Sequence, residues 1–274
     1  MKDLLACACA FVVACGGGSN SQPDDDAPDR DAPVSIDAPA AIVDNDQDGL
    51  EDALELQLAT DYLPFVSLDP GDGCTRDGFV VRVRKHPADP TKIMIIYDHL
   101  FETDCGFGGH TGDDEVFGIA IDPTVPAPAG ILAIRTVSHQ NTPCERDTQC
   151  STCSNDSRPT CDLAPADGAM WPVVYASKDK HGQYATLAQC PTFGTCFDTC
   201  TLNTTRRTAP IANAGEPDHH LISNLTTEGF INAANGWTKA ELMNVDPWAP
   251  GNFGGAGAIA GDLVDPAFEA AICP

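Results

Sequence analysis

Gly108-Gly109-His110-Thr111-Gly112-Asp113-Asp114-Glu115 brings one imidazole and the carboxylates of Asp113 and Glu115 within six residues, at the entrance to an apolar run. These donor types suit a divalent cation, and the two leading glycines let the backbone turn without steric cost. On a strand, Asp113 and Glu115 point to one face and Asp114 to the other. Phe117, Ile119 and Ile121 share the Glu115 face and are expected in the core. Carboxylates running directly into an apolar face are costly unless something positive neutralises them, and a bound cation is the simplest remedy. Mostly oxygen donors with one nitrogen suit calcium, magnesium or manganese better than tetrahedral zinc.

A second acidic pattern lies upstream. Asp44-Asn45-Asp46-Gln47-Asp48-Gly49, followed by Asp52 and Glu55, fits the twelve-residue calcium loop D-x-D-x-D-G-x5-E at every ligand position. In that geometry Asp44, Asp46 and Asp48 supply side-chain oxygens, Leu50 its carbonyl, Asp52 a contact through water, and Glu55 both of its oxygens. Gly49 permits the sharp turn. A lone loop followed by one helix, with Leu50, Leu54 and Leu58 on one side, reads as structural calcium rather than a paired sensor.

The elements that must position these groups are mostly strands. Residues 44–63 carry the strong helix signal. After Pro64 the chain changes to short runs rich in Val, Ile and aromatics, separated by Gly, Pro and Asp clusters. Phe79 to Arg84, Lys92 to His99, Glu115 to Ile121, Ile131 to Val137 and Pro172 to Ala176 read as strands. Their spacing predicts a mainly β fold, a two-sheet β-sandwich with a short N-terminal helix after the calcium loop. Thr238-Lys239-Ala240-Glu241 has the capping-box form for a further short helix, and the Gly-rich run from Gly251 to Gly261 reads as irregular loop.

The N-terminus carries an address. Lys2 and the apolar run Leu4 to Ala14 have the length of a signal-peptide core, too short to span a bilayer. Val12-Val13-Ala14-Cys15 has the spacing for bacterial lipoprotein processing, with Cys15 as the lipidated residue and membrane anchor. Gly16 after that cysteine favours the outer membrane, on its periplasmic or cell-surface side, by resemblance to sorted lipoproteins. Asp-Ala-Pro recurs three times between residues 26 and 39, in a stretch without apolar periodicity that is expected to stay extended and solvated. The expected organisation is therefore a signal peptide over 1–14, a disordered lipid-anchored tether over 15–43, and one β-sandwich domain over 44–274.

Thirteen cysteines divide informatively. Cys7 and Cys9 leave with the signal and Cys15 carries lipid, which leaves Cys74, Cys105, Cys144, Cys150, Cys153, Cys161, Cys190, Cys196, Cys200 and Cys273. An even count in an exported chain argues for disulfides. We expect Cys74 to pair with Cys105, Cys273 to tie down the C-terminus, and the rest to pair within 144–200, making 140–167 a disulfide-rich insertion. A four-thiolate zinc site at Cys144, Cys150, Cys153 and Cys161 is the alternative. Forty acidic residues against fifteen basic give a net charge of −25, which excludes nucleic acid as a partner without a concentrated basic face. Arg82, Arg84 and Lys85 are split by alternation between two faces of a strand.

Three motifs occur in order: Ile95-Ile96-Tyr97-Asp98-His99-Leu100-Phe101-Glu102-Thr103-Asp104, then Gly109-His110-Thr111-Gly112-Asp113-Asp114-Glu115, then Val173-Val174-Tyr175-Ala176-Ser177-Lys178-Asp179-Lys180-His181-Gly182-Gln183-Tyr184. This order resembles the vacuolar protein sorting-associated protein family of the sixty-two type, with its H-x-G-D-W-E element and later S-H-x-x-Y. More distantly it resembles the necrosis- and ethylene-inducing peptide-like proteins, whose heptapeptide is G-H-R-H-D-W-E. Leu58-Ala59-Thr60-Asp61-Tyr62-Leu63-Pro64 and Asn213-Ala214-Gly215-Glu216 also resemble segments of the first family. The resemblance implies a cation at one end of a β-sandwich, coordinated by Asp104, His110, Asp113 and Glu115 with His181 near it. In the necrosis-inducing proteins such a cation sits where a lipid-linked sugar headgroup binds. Here Asp114 replaces the tryptophan and Gly112 the second histidine, departures that argue against a cytolysin.

Three functions follow. The favoured one is a non-enzymatic envelope lipoprotein whose cation-centred end binds a glycan or lipid headgroup. A metal-dependent hydrolase is the second, with Glu115 or His181 handling the proton, but the sequence has no H-E-x-x-H and no Gly-x-Ser-x-Gly. A structural envelope protein with stabilising cations only is the third.

Overall fold

The computed structural model describes residues 42–190, 196–227, 229–251, 253 and 258–274. The expected signal peptide, the expected lipidation site Cys15 and nearly all of the expected tether lie outside the described residues. No helix among the described residues is long and apolar enough to cross a membrane. The chain runs α1 (Asp52–Asp61), β1 (Phe65–Leu68), β2 (Asp77–His86), β3 (Asp89–Thr103), β4 (Thr111–Ile121), β5 (Ile131–Ser138), β6 (Arg146–Ser151), β7 (Leu163–Ala166), β8 (Ala169–Ala176), β9 (Gln183–Tyr184), β10 (Ile211–Asn213), β11 (Gly215–Glu216), β12 (His219–His220) and α2 (Ile259–Asp262), with short 3-10 turns between.

A six-stranded sheet in the order β10-β2-β3-β4-β5-β6 dominates. Its pairs are antiparallel except β10 with β2, which is parallel. The smaller sheet places β8 between β1 and β7, with β9 also on β8. All five strands read from sequence are present, each longer at one or both ends.

Alternation along the central strands explains how the layers form. Phe79, Val81, Ile95, Tyr97, Phe117 and Ile119 face the small sheet and α1, where Leu58, Phe65, Val173 and Tyr175 meet them. Val80, Met94, Ile96, Leu100 and Val116 point the other way. That second face is not solvated. It is covered by irregular chain from the C-terminal third, through Ile222, Phe230, Trp237, Trp248 and Phe268. The sandwich therefore has a third layer without regular structure, which accounts for a burial pattern unbroken from Ile93 to Glu102. Each large side chain so buried contributes about 1.5–3 kcal/mol. Contact is close at Gly118, where a Cβ would lie 1.8 Å from the Phe268 carbonyl oxygen.

The disulfides are Cys74–Cys105, Cys144–Cys196, Cys150–Cys161, Cys153–Cys273 and Cys190–Cys200. These pairs take up all four thiols of the zinc alternative, so that reading falls. The span 140–167 is disulfide-bound, yet it is more than an insertion: it supplies β6 to the large sheet and β7 to the small one.

Three local expectations are corrected. On α1 the buried side is Glu55, Leu58 and Ala59, while Leu54 is exposed, because the helix turns Glu55 inward. Thr238 does not close a capping box: its backbone N–H and hydroxyl both donate to Glu102 of β3, and only a 3-10 turn follows over Ala240–Leu242. The end of the Gly-rich run enters α2, whose Ile259 is buried in the C-terminal layer.

Candidate metal centres

β4 stays paired with β3 to its first residue, Thr111 against Thr103, whereas its pairing with β5 ends at Phe117 against Thr136. β5 continues alongside β6 to Ser138. The stretch 111–116 therefore has one free flank, and a cleft of about 570 Å³ opens there, lined by Asp104, His110, Asp113, Asp114, Glu115 and His139 among others.

Asp104, His110 and Asp113 each place a ligand atom within 4.8 Å of the others. His110 Nδ1 donates to the Gly112 carbonyl at 2.6 Å, and a carbonyl can only accept. The proton is thus fixed on Nδ1, and the Nε2 lone pair looks toward Asp104 Oδ2, 3.7 Å away. The neighbouring loop orients Asp104 through the Gly106 N–H at 2.6 Å. Lys180 Nζ donates to Asp104 Oδ2 at 2.6 Å, so part of the positive charge that the sequence assigns to a cation comes from the chain itself.

Glu115 lines the same cleft but stands outside that group. Burial, then Asp113 and Asp114, push its carboxyl well above the usual range. His181 is fully buried and stacked on Phe101 with ring centroids 3.7 Å apart. Its Nδ1 donates to Asp113 Oδ2 at 2.9 Å and its Nε2 faces Asp72 Oδ2 at 3.2 Å. With both nitrogens directed at carboxylates, His181 orients Asp113 instead of joining the ligand set. Burial opposes its charge, but Asp113 and Asp72 prevail and raise its pKa to about 9.

The upstream loop gathers its acids in the order the sequence implies. Ligand atoms of Asp44, Asp46 and Asp48 lie within 4.8 Å of one another, as do those of Asp46, Asp52 and Glu55. Gly49 has φ of +87°, a conformation that strains residues with a Cβ. Its N–H donates to Asp44 Oδ2 at 3.1 Å, and the Leu50 N–H donates to Asp48 Oδ1 at 2.7 Å. Asn45 donates from its backbone and side chain to the two oxygens of Asp52, at 2.8 and 2.6 Å. Asp46 and Glu55 are buried, and Asp44 Oδ1, both Asp46 oxygens, Asp48 Oδ2 and Glu55 Oε1 find no hydrogen-bond partner among the described residues. Burial, then Asp48, push Asp46 up to about 7; burial pushes Glu55 up to about 9, against the pull of the Asn213 amide. Converging, unpartnered oxygens of this kind fit a hard divalent cation.

Two buried networks escaped the sequence reading. Asp77 accepts from His99 Nε2 at 2.7 Å and from Arg207. Asp198 accepts from Tyr184 at 2.5 Å, Ser177 at 3.1 Å and His139. The available signal was charge inside an apolar run: Asp98 and His99 interrupt Ile93 to Phe101. Their partners come from distant segments, so spacing alone could not supply them. His219 and His220 are exposed and form β12.

No protein-family model and no curated protein matches this chain. A solved structure described as "Toxin fold for microbial attack and plant defense" aligns with 63% of this chain and 82% of its own length, at 11% identity and a TM-score of 0.29. Likeness at that level carries no argument about fold or activity. What stands is a disulfide-rich, mainly β protein with acidic groups arranged as candidate metal sites.

Proposed function

We propose that this chain is an exported, envelope-anchored binding protein. Its acidic loop takes calcium as a structural ion through Asp44, Asp46, Asp48, Asp52, Glu55 and the Leu50 carbonyl. Its cleft holds a second divalent cation, calcium, magnesium or manganese, on Asp104, His110 and Asp113. Ligand positions left open on that second ion would take hydroxyl or phosphate oxygens of a glycan or lipid headgroup. The observation that carries the reading is the cleft itself: the free flank of β4 gathers an imidazole with a fixed tautomer and two carboxylates at one opening.

The order of motifs resembling the sixty-two type family supports the same site. Anchoring through Cys15 at the outer membrane, on either face, rests on the N-terminal sequence, and five disulfides agree with an oxidising compartment. One observation favours the hydrolase alternative: His139, hydrogen-bonded to Asp198, lines the same cleft as the carboxylates and has the form of an oriented base.

The test is His110→Ala, at a partly exposed position where folding is not at risk. Glycan and lipid-headgroup arrays are probed in calcium, magnesium, manganese or chelator, beside melting temperature. Metal-dependent array binding that the variant loses at unchanged melting temperature supports recognition. A wild-type protein that binds nothing on the arrays, with or without metal, overturns it in favour of a structural role. Metal-dependent turnover of phosphate or carboxyl esters would replace it with the enzyme.

A further inference from the structure

Three more carboxylates converge on the opposite face of the large sheet. Asp98 of β3 sits between Ile96 and Leu100 on the side covered by the C-terminal layer. It is fully buried, and neither of its carboxylate oxygens has a hydrogen-bond partner among the described residues. Strand register pairs Asp98 with Val116 and Leu100 with Asp114, which makes Asp98 and Asp114 diagonal neighbours on one face. Asp114 Oδ2 is likewise buried without a partner. Asp262 ends α2, held down by buried Ile259 and Leu263 on either side. One oxygen from each of the three acids lies within 4.8 Å of the others.

Among the described residues no basic side chain pairs with Asp98, Asp114 or Asp262. Every charged neighbour acting on Asp98 is itself acidic, and burial followed by Asp114 and Asp262 drives its carboxyl far up. Burial and Asp262 push Asp114 up to about 8, and burial pushes Asp262 up to about 7. Arg82, on the same face, is committed to Glu216 and to the Leu263 carbonyl. If packing were the only need, apolar residues of similar volume would serve at lower cost.

We propose that Asp98, Asp114 and Asp262 form an oxygen-only site for a hard divalent cation of the calcium, magnesium or manganese class, reached from the cleft that Asp114 and Asp262 line. Three carboxylates supply about half of the six to eight oxygens such an ion takes, and water or ligand hydroxyls from the cleft complete the shell. An ion there couples α2, and through it the C-terminal layer, to β3 and β4. Asp113 and Asp114 point to opposite faces, so the end of β4 contributes to two groups on either side of one strand. The site does not depend on whether the His110 group is occupied. Its rival is plain acid chemistry, three carboxyls that keep their protons and bind nothing.

Metal content separates the two. The purified full chain is dialysed to equilibrium against calcium, magnesium or manganese chloride and its bound metal counted, for wild type, Asp98→Asn and Asp262→Asn. Circular dichroism in chelator confirms that each variant folds. Asp262→Asn, at a partly exposed helix end, keeps the test available if the strand variant does not fold. The expected result is one fewer ion per chain in each folded variant and a smaller metal-induced rise in melting temperature, with the acidic-loop and His110 sites unaffected. Equal stoichiometry in wild type and variants, with variants that melt as high or higher in chelator, overturns the proposal and supports retained protons.

Discussion

Asn213, on the edge strand β10, donates its side-chain amide to Glu55 Oε2 at 2.7 Å, Glu55 Oε1 has no hydrogen-bond partner among the described residues, and the Glu55 carboxyl lies within 4.8 Å of ligand atoms of Asp46 and Asp52. One carboxylate thus joins the end of the acidic loop to the rim of the six-stranded sheet, across 158 residues of chain. A cation in the loop would brace α1 against that rim.

Calcium should therefore stabilise the domain. At free calcium about a hundredfold above the dissociation constant, linkage gives about 2.7 kcal/mol, or a melting-temperature rise of about 5–10 °C for a chain of this size. Calorimetry with and without chelator measures it. Asp44→Ala with Asp48→Ala should abolish the rise; a variant that still responds in full points to calcium bound elsewhere. Asn213→Ala should lower stability by about 1 kcal/mol, since it removes the neutral partner of a buried carboxylate oxygen.

Asp77 should give the fold an acid-sensitive component. Burial alone would raise its carboxyl, but hydrogen bonds from His99 and Arg207 outweigh it and hold the group below the usual range. A depressed folded value means that the stabilisation is fully present above the unfolded value of about 4 and is lost as pH falls below it. Asp77→Asn should cost about 2 kcal/mol or more at pH 7. That lies below the figure for removing one partner of a fully buried pair, because the Arg207 side chain is 36% exposed. Denaturant titrations from pH 7 to pH 2 should show the wild-type advantage shrinking below pH 4; an advantage independent of pH would contradict the assignment.

Gly118→Ala tests the third layer. The added methyl would have to displace the Phe268 backbone carbonyl, so the loss should be about 2 kcal/mol or more. Near-ultraviolet circular dichroism should change as well, because Trp237 and Trp248 belong to the layer that would lift. A normal spectrum and unchanged stability would mean that the C-terminal chain does not pack as described.

Cys153–Cys273 spans 120 residues and ties the end of the chain beside β6. Closing a loop of that length is worth about 4–5 kcal/mol in the chain-entropy model, and native bridges of small domains give about 2–5 kcal/mol on removal. Cys153→Ser with Cys273→Ser should lower stability within that range. Hydrogen exchange should quicken first in the C-terminal layer and only later in β3, since the layer shares no strand ladder with the sheet and is held by the bridge, by packing and by side-chain hydrogen bonds such as Arg82 to the Leu263 carbonyl.

Much of this was written locally. The five strands showed in runs such as Lys92 to His99, and the acidic loop in its spacing, because both patterns depend on residues a few positions apart. The Asp113 and Glu115 face followed from a period of two. His181 was harder to place: its buried position between Asp72 and Asp113 depends on how two loops dock. Lys180, one residue before it, gave no sign that it would neutralise Asp104. Leu54 is exposed, against the apolar periodicity of α1, because the helix turns Glu55 inward.

By itself, then, the sequence determined the mainly β character, the helix after an acidic loop, the cysteine framework and the clustering of donors from His110 to Glu115. Each of these is set by local backbone geometry or composition. Only the tertiary structure decided that the second face of the sheet is covered, that Asp98, Asp114 and Asp262 meet beneath that cover, and that β4 and β5 part to open a cleft. Those outcomes come from strand register and from the path of irregular chain, where no short-range periodicity links the residues that finally touch.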